Sequence, residues 1–201
     1  MKGKLNVILD LDNTIISAVP TEDFPWNDDS RKKVEYLKLH NMEGYYMVFE
    51  RPYVQDFLNF IFENFNVSVW SAASKNYVLY IIENVILTKP NRKLQHIFFS
   101  YHCNLSKKLY KGGLKQLDLL WDCFEIPMYN SKNTIIIDDL KKIKNIQPCN
   151  CINVKPFEFL DDDSPKDTEL KKVMNLLKNV LENPNQNCLI PLNTPLKLNF
   201  N

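Results

Sequence analysis

The sequence predicts an α/β fold built on a central, mostly parallel sheet flanked by helices, and two patterns in its 201 residues carry that prediction. Short, largely apolar runs (Leu5–Leu9, Val67–Trp70 and Thr134–Ile137) alternate with segments of helical apolar period, as expected of strands covered by helices on both faces. Three of these runs end on polar groups: Asp10-Leu11-Asp12, Ser71, and Asp138-Asp139. Ligands of such sheets bind beyond the carboxyl ends of the strands, so the polar groups converge where a site belongs.

Leu5–Leu9 reads as a buried strand that meets Asp10 directly. The polar stretch from Ser17 to Ser30 reads as a loop, and Val34–Leu39 with Tyr45–Phe49, separated by His40–Gly44, as a hairpin. Pro52 can open a helix whose apolar face holds Val54, Phe57, Leu58, Ile61 and Phe62. After the strand Val67–Trp70, Ser74 can cap a helix carrying Tyr77, Ile81, Ile82 and Val85. From Thr88 to Gly113 the pattern breaks into short mixed pieces, which predicts a small insertion of irregular strands. Leu114, Leu117, Leu119, Leu120 and Trp121 suggest a further helix, and Cys151–Val154 a fourth strand. Leu170, Val173, Leu176, Leu177 and Val180 define a last helix from about Asp167 to Leu181. Residues 1–183 are expected to form one domain, with the insertion at about 88–113. An Asn- and Pro-rich tail, 184–201, is expected to pack loosely.

Composition excludes several classes. A net charge of +1 with no dense Lys/Arg run argues against direct nucleic-acid binding. No segment is long and apolar enough to span a bilayer, and Leu5–Leu9 is too short for a signal-peptide core. Five cysteines at irregular spacing suggest free, buried thiols in a reducing intracellular compartment, nucleus or cytoplasm. Cys149 and Cys151 lack zinc-knuckle spacing, and His40, His96 and His102 show no metal pattern.

Asp10 and Asp12 stand two residues apart at a strand end, and Asp138 and Asp139 arrive from another. A lone Asp-x-Asp is most often turn chemistry. Four carboxylates in one crevice repel unless a cation, a lysine or protonation compensates them. Oxygen ligands of this kind suit a hard ion such as Mg²⁺, which leaves coordination positions for phosphate and water. Trp70, Tyr53 and Trp121 read as core rather than substrate contacts.

Val7–Thr14 contains Asp10-Leu11-Asp12-Asn13-Thr14, which resembles the Asp-x-Asp-x-Thr motif of haloacid-dehalogenase-type (HAD) phosphatases. Arg51–Leu58 and Val69–Ser74 resemble the RNA polymerase II C-terminal-domain (CTD) phosphatases. The nearest subgroup is the one with a ubiquitin-like domain, through Lys115–Trp121, Asn133–Asp139, Val154–Phe157 and Asp167–Leu170. The likeness runs from about Leu5 to Leu181 with the motifs in family order, and flanking ubiquitin-like or BRCT modules are not expected. It departs at Asn13, at Ser71 (where many relatives carry Thr) and at Leu140 after Asp139.

The resemblance implies a HAD-like, Rossmann-like sheet and a Mg²⁺-dependent protein serine/threonine phosphatase working through an aspartyl-phosphate. Asp10 would be nucleophile and metal ligand, and Asp12 general acid and base, with its carbonyl on the metal. Thr14 and Ser71 would bind phosphoryl oxygens or order the site. Lys115, favoured over Lys111 by its spacing to Leu117 and Trp121, would neutralise the phosphoryl group. Asp138 would hold that lysine, and Asp139 would complete the metal site. Arg51 is a further candidate phosphate contact, its other reading being structural hydrogen bonds at a helix start. The expected substrate is a phosphoserine or phosphothreonine protein such as a polymerase tail, and the expected state a monomer. Alternatives are a HAD phosphatase for nucleic-acid ends or small metabolites, and a non-catalytic scaffold. Abundant Asn, Lys and Ile fit a microbial or large-virus genome.

Overall fold

Five parallel strands form the central sheet: β1 (Asn6–Leu9), β5 (Asn66–Trp70), β6 (Leu94–Phe98), β7 (Thr134–Asp138) and β8 (Cys151–Asn153), in the order β6-β5-β1-β7-β8. The structure is a computed structural model and describes residues 3–110, 114–183 and 188–191. The chain builds outward from β1 on one side, then returns to build from β7 on the other. β1 and β7 are therefore the pair at which strand order reverses, with Leu9 opposite Ile137.

The pleat sorts the strand residues into two cores. Val7, Leu9, Val67, Val69, Ile135 and Ile137 face one side. There they meet the buried residues of α2 (Val54–Asn64), α3 (Lys75–Ile81) and α6 (Glu169–Glu182). Ile8, Trp70 and Ile136 face the other, with Cys103 of α4 (Ser100–Leu109) and Ile143 of α5 (Lys141–Ile146). Truncating Ile8 or Ile136 to Ala would cost about 2–5 kcal/mol at such fully buried positions. These rigid cores fix the strand ends that carry the site.

A smaller antiparallel sheet, β2 (Ile16–Pro20), β3 (Leu39–Met42) and β4 (Tyr46–Glu50), has the order β2-β4-β3 and leaves the main sheet just after Asp12. Phe24, Phe49, Phe157 and Phe159 form its own apolar cluster.

Several elements differ from expectation. Within Ser17–Ser30, expected as loop, Ile16–Pro20 pairs with β4, and Asp28–Val34 forms a helix, α1. Asn27 accepts from the Ser30 amide and caps it. The half-exposure of Ala18 and Pro20 hides the alternation there. Val34 ends α1, so the hairpin strand begins only at Leu39. In place of irregular strands within Thr88–Gly113, Leu94–Phe98 is a parallel edge strand beside β5, and Ser100–Leu109 is helical. An edge strand is half wetted, and α4 buries only Cys103 and Ser106, so neither gives a clear apolar period. Lys111, Gly112 and Gly113 lie outside the described residues. The helix suggested at Leu114–Trp121 is a single π turn, Leu119–Cys123.

Cys149 is joined to Cys188 in a disulfide, correcting the expectation that all five thiols are free; Cys103 and Cys151 are buried and Cys123 is exposed. Ile190 donates its amide to the Cys149 carbonyl, and Leu189 and Ile190 are buried. This part of the tail, expected to be loose, is therefore docked; its other residues lie outside the described ones. Tyr53, expected in the core, is 40% exposed and has a left-handed backbone (φ 65°), with the Lys171 ammonium 3.6 Å from its ring centroid.

Candidate active site

Asp10 directly follows β1, its amide donating to the Ile137 carbonyl of β7. The chain then turns sharply: the amides of Thr14, Ile15 and Ile16 all converge on the Leu11 carbonyl. Asn13 takes the left-handed conformation the turn needs (φ 56°), one that Asn tolerates better than most residues. The turn returns the Thr14 hydroxyl to Asp10, where it donates to Oδ2 at 3.3 Å. Thr14 is fully buried, so its hydroxyl orients the Asp10 carboxylate rather than facing solvent.

The other Asp10 oxygen lies 2.6 Å from Lys115 Nζ, and the same ammonium reaches Asp138 Oδ2 at 2.8 Å. Asp138 is pinned in turn, its Oδ1 accepting from the Leu140 amide at 2.8 Å. Lys115 is 1% exposed and Asp138 0%. Burial alone would lower the Lys115 ammonium's affinity for its proton, but Asp10 and Asp138 outweigh it and hold the value above the ordinary range. Lys115 is therefore a fixed positive charge beside Asp10.

Asp139 completes the acidic group: one oxygen each from Asp10, Asp138 and Asp139 lie within 4.8 Å of one another. Three carboxylates face one ammonium, an excess of two negative charges. That excess is visible in proton affinities. Burial pushes Asp10 up to about 7 despite the opposing Lys115, with Asp138 adding to the rise. Burial and the Asp138 charge raise Asp139 likewise. A site of close-set oxygens, two of its carboxylates buried and Asp139 half-buried, with two surplus negative charges fits a hard divalent cation such as Mg²⁺.

The Asp12 carboxylate stands outside this group. Its Oδ1 accepts from the Tyr77 hydroxyl at 2.5 Å. Burial raises its affinity for a proton, and the bonds from Tyr77 and Ser71 work against that rise. Ser71, fully buried at the end of β5, also accepts from the Ala73 amide at 3.0 Å. The strand ends thus bring a carboxylate beside a lysine and a second carboxyl group kept apart from it, an arrangement that could serve nucleophilic attack with separate proton transfer.

Arg51 is a correction. Its side chain is fully buried, donating from Nε and Nη2 to Asp167, from Nη1 to the Thr14 carbonyl and from Nη2 to the Lys155 carbonyl. These bonds commit its fork to the chain, so it serves as a brace behind the Asp10–Thr14 turn and not as a phosphate contact. Sequence reasoning also missed Tyr77, taken as an apolar helix position. The available signal was a hydroxyl-bearing side chain in the first turn of the helix that begins just after Ser71.

The model of the NLI interacting factor-like phosphatase family matches residues 5–187. The chain belongs to that family. CTD phosphatase-like protein 355R of Invertebrate iridescent virus 6 is 43% identical over 175 residues, covering 86% of this chain and 96% of the viral protein. The ubiquitin-like domain-containing CTD phosphatase of Arabidopsis thaliana is 27% identical, covering 90% of this chain and 48% of its own length. Among solved structures, fission yeast RNA polymerase II CTD phosphatase Fcp1 bound to beryllium fluoride superposes with a TM-score of 0.60 at 18% identity, covering 88% of this chain and 62% of that one. That likeness shows the fold, which is HAD-like as expected. The chain is a phosphatase of this fold, and no described helix is long and apolar enough to cross a membrane.

Proposed function

We propose that the chain is a Mg²⁺-dependent protein serine/threonine phosphatase acting through a phosphorylated Asp10. The observation that carries the reading is the pairing of Asp10 with Lys115 at 2.6 Å inside a three-carboxylate group, with Asp12 held apart on Tyr77. An Asp10 oxygen would attack phosphorus, the bond to the seryl or threonyl oxygen would break, and Asp12 would give that oxygen its proton. Asp12 would then take a proton from water as the water oxygen attacks phosphorus, releasing phosphate and restoring Asp10. Lys115 faces the charge on the transferring group, and Asp138 keeps the ammonium in place. Asp10, Asp139 and the main-chain carbonyl of Asp12 would hold Mg²⁺. Neutralisation of phosphoryl charge is what the ion supplies when bound. Thr14 and Ser71 order the two aspartates.

The names of the relatives support a phosphorylated CTD-like peptide as substrate, and the virus-encoded ones support a viral source and an intracellular site of action. The test is hydrolysis of a phosphoserine heptad peptide and of an aryl phosphate, with Mg²⁺ or EDTA, by wild-type protein and Asp10→Asn. Turnover that needs both Mg²⁺ and Asp10 and favours the peptide is expected. Preference for nucleotides or sugar phosphates would overturn the substrate assignment, and activity in Asp10→Asn would overturn the mechanism.

A further inference from the structure

We propose that Tyr77 is a positioning residue for Asp12, holding one carboxyl oxygen so that the other delivers the proton to the departing oxygen of the substrate. The inference rests on the function proposed above, in which Asp12 is the general acid. Tyr77 lies in the first turn of α3, whose Ser74 cap fixes the helix start just beyond the end of β5. From there the ring reaches across to the β1 turn, and its hydroxyl donates to Asp12 Oδ1 at 2.5 Å. The ring is 7% exposed, and Tyr46 of β4 packs against it edge-on with centroids 5.3 Å apart. Two elements of the fold therefore restrict the hydroxyl to one place.

The consequence is chemical. A protonated carboxyl group has one oxygen that carries the proton and one that only accepts. With Oδ1 accepting from the phenol, the proton belongs on Oδ2; the Ser71 hydroxyl, which also bonds this carboxyl group, can donate or accept and so does not bar a proton there. Asp12 and Tyr77 border a cavity of about 380 Å³ together with Ala18, Tyr46, Ala73 and Ser74, the space from which a leaving group can approach. In the transfer step the Asp10–phosphorus bond forms as the bond from phosphorus to the seryl oxygen breaks. The electron pair of the broken bond goes to the seryl oxygen and the Oδ2 proton neutralises it, leaving Asp12 as a carboxylate. Tyr77 can donate to Oδ1 before and after this step, so the acid keeps one orientation for its return role as base. A side chain needed only as core would use the ring alone. Here the hydroxyl is the group engaged.

The experiment compares Tyr77→Phe with wild type in kcat/KM, with Mg²⁺ present, on a phosphoserine peptide and on an aryl phosphate with a good leaving group. The peptide's alkoxide needs the proton; the stabilised phenolate leaves without it. General acids contribute roughly 10²–10⁴-fold, so losing orientation should cost about 10–100-fold on the peptide and less than about threefold on the aryl ester. Unchanged thermal unfolding should accompany this selectivity. Equal losses on both substrates, or no loss on the peptide, would overturn the inference. Asp12→Asn separates the role of the acid from the role of its partner. If Asp12→Asn itself loses both substrates equally, the general-acid reading has failed. If Asp12→Asn is peptide-selective and Tyr77→Phe is not, only the role of Tyr77 falls.

Discussion

Replacing Asp10 by Asn should abolish turnover and make the metal-free protein more stable at alkaline pH. Asp10 is 5% exposed, and burial, reinforced by Asp138, pushes its carboxyl group up to about 7 against an ordinary 3.8, even with Lys115 beside it. Below about pH 4 the group is protonated in both folded and unfolded chains and contributes nothing. As pH rises from about 4 to 7 the unfolded chain releases this proton while the folded one retains it, so folding becomes progressively less favourable. Above 7 the penalty is complete, and the gap between 3.8 and about 7 corresponds to about 4 kcal/mol. Asn has nearly the same volume and no charge, so it removes the penalty. Allowing for the Lys115 contact that is lost, a gain of about 2–4 kcal/mol is expected at pH 8 in EDTA, or about 5–15 °C in Tm for a domain of this size. No gain is expected at pH 4. Thermal unfolding of both proteins across this range, with and without Mg²⁺, is the assay. Mg²⁺ should stabilise wild type far more than the variant. An Asp10→Asn protein that is less stable than wild type at pH 8, or equally shifted at every pH, would refute the picture of a surplus of buried negative charge.

Two further predictions concern the frame around the site. Arg51→Lys keeps the charge but loses the planar fork that joins Asp167 to the carbonyls of Thr14 and Lys155. It should cost about 2–4 kcal/mol in urea denaturation and lower kcat through the loosened Asp10–Thr14 turn, whereas a neutral outcome would remove Arg51 from the frame. Reduction of Cys149–Cys188, which closes a loop with a sequence separation of 39, should cost about 3–4 kcal/mol. Because Cys149 precedes β8, at the amino ends of the strands while the site lies at their carboxyl ends, kcat should not change; a parallel fall in kcat would show that the two ends of the sheet are coupled.

The residues that meet at the site were legible because strand ends announce themselves: an apolar run that stops on Asp or Ser has one place to put that side chain. Asp10, Asp12, Ser71, Asp138 and Asp139 were found this way, whereas Lys115 came from the family resemblance, its spacing to Leu117 and Trp121 only favouring it over Lys111. Where water or a distant partner shapes the pattern, the sequence said less. β2 and β6 are short, partly exposed strands whose alternation is blurred, and α4 has too narrow a buried stripe to show a helical period. The roles of Arg51 and Tyr77 depend on partners 116 and 65 residues away along the chain, Asp167 and Asp12, and no local spacing encodes such a contact. The Cys149–Cys188 pair is of the same kind, formed because the chain beyond α6 returns to the start of β8.

A phosphorylated Asp10 must be the place where phosphate resides during turnover. Rapid-quench mass spectrometry of wild-type protein mixed with a phosphopeptide and Mg²⁺ should find a transient phosphoryl group on the fragment containing Asp10. It should be absent in Asp10→Asn and longer-lived in Asp12→Asn. Turnover with no phosphorylated enzyme at any time, or with phosphate on another residue such as Ser71, would contradict the central claim.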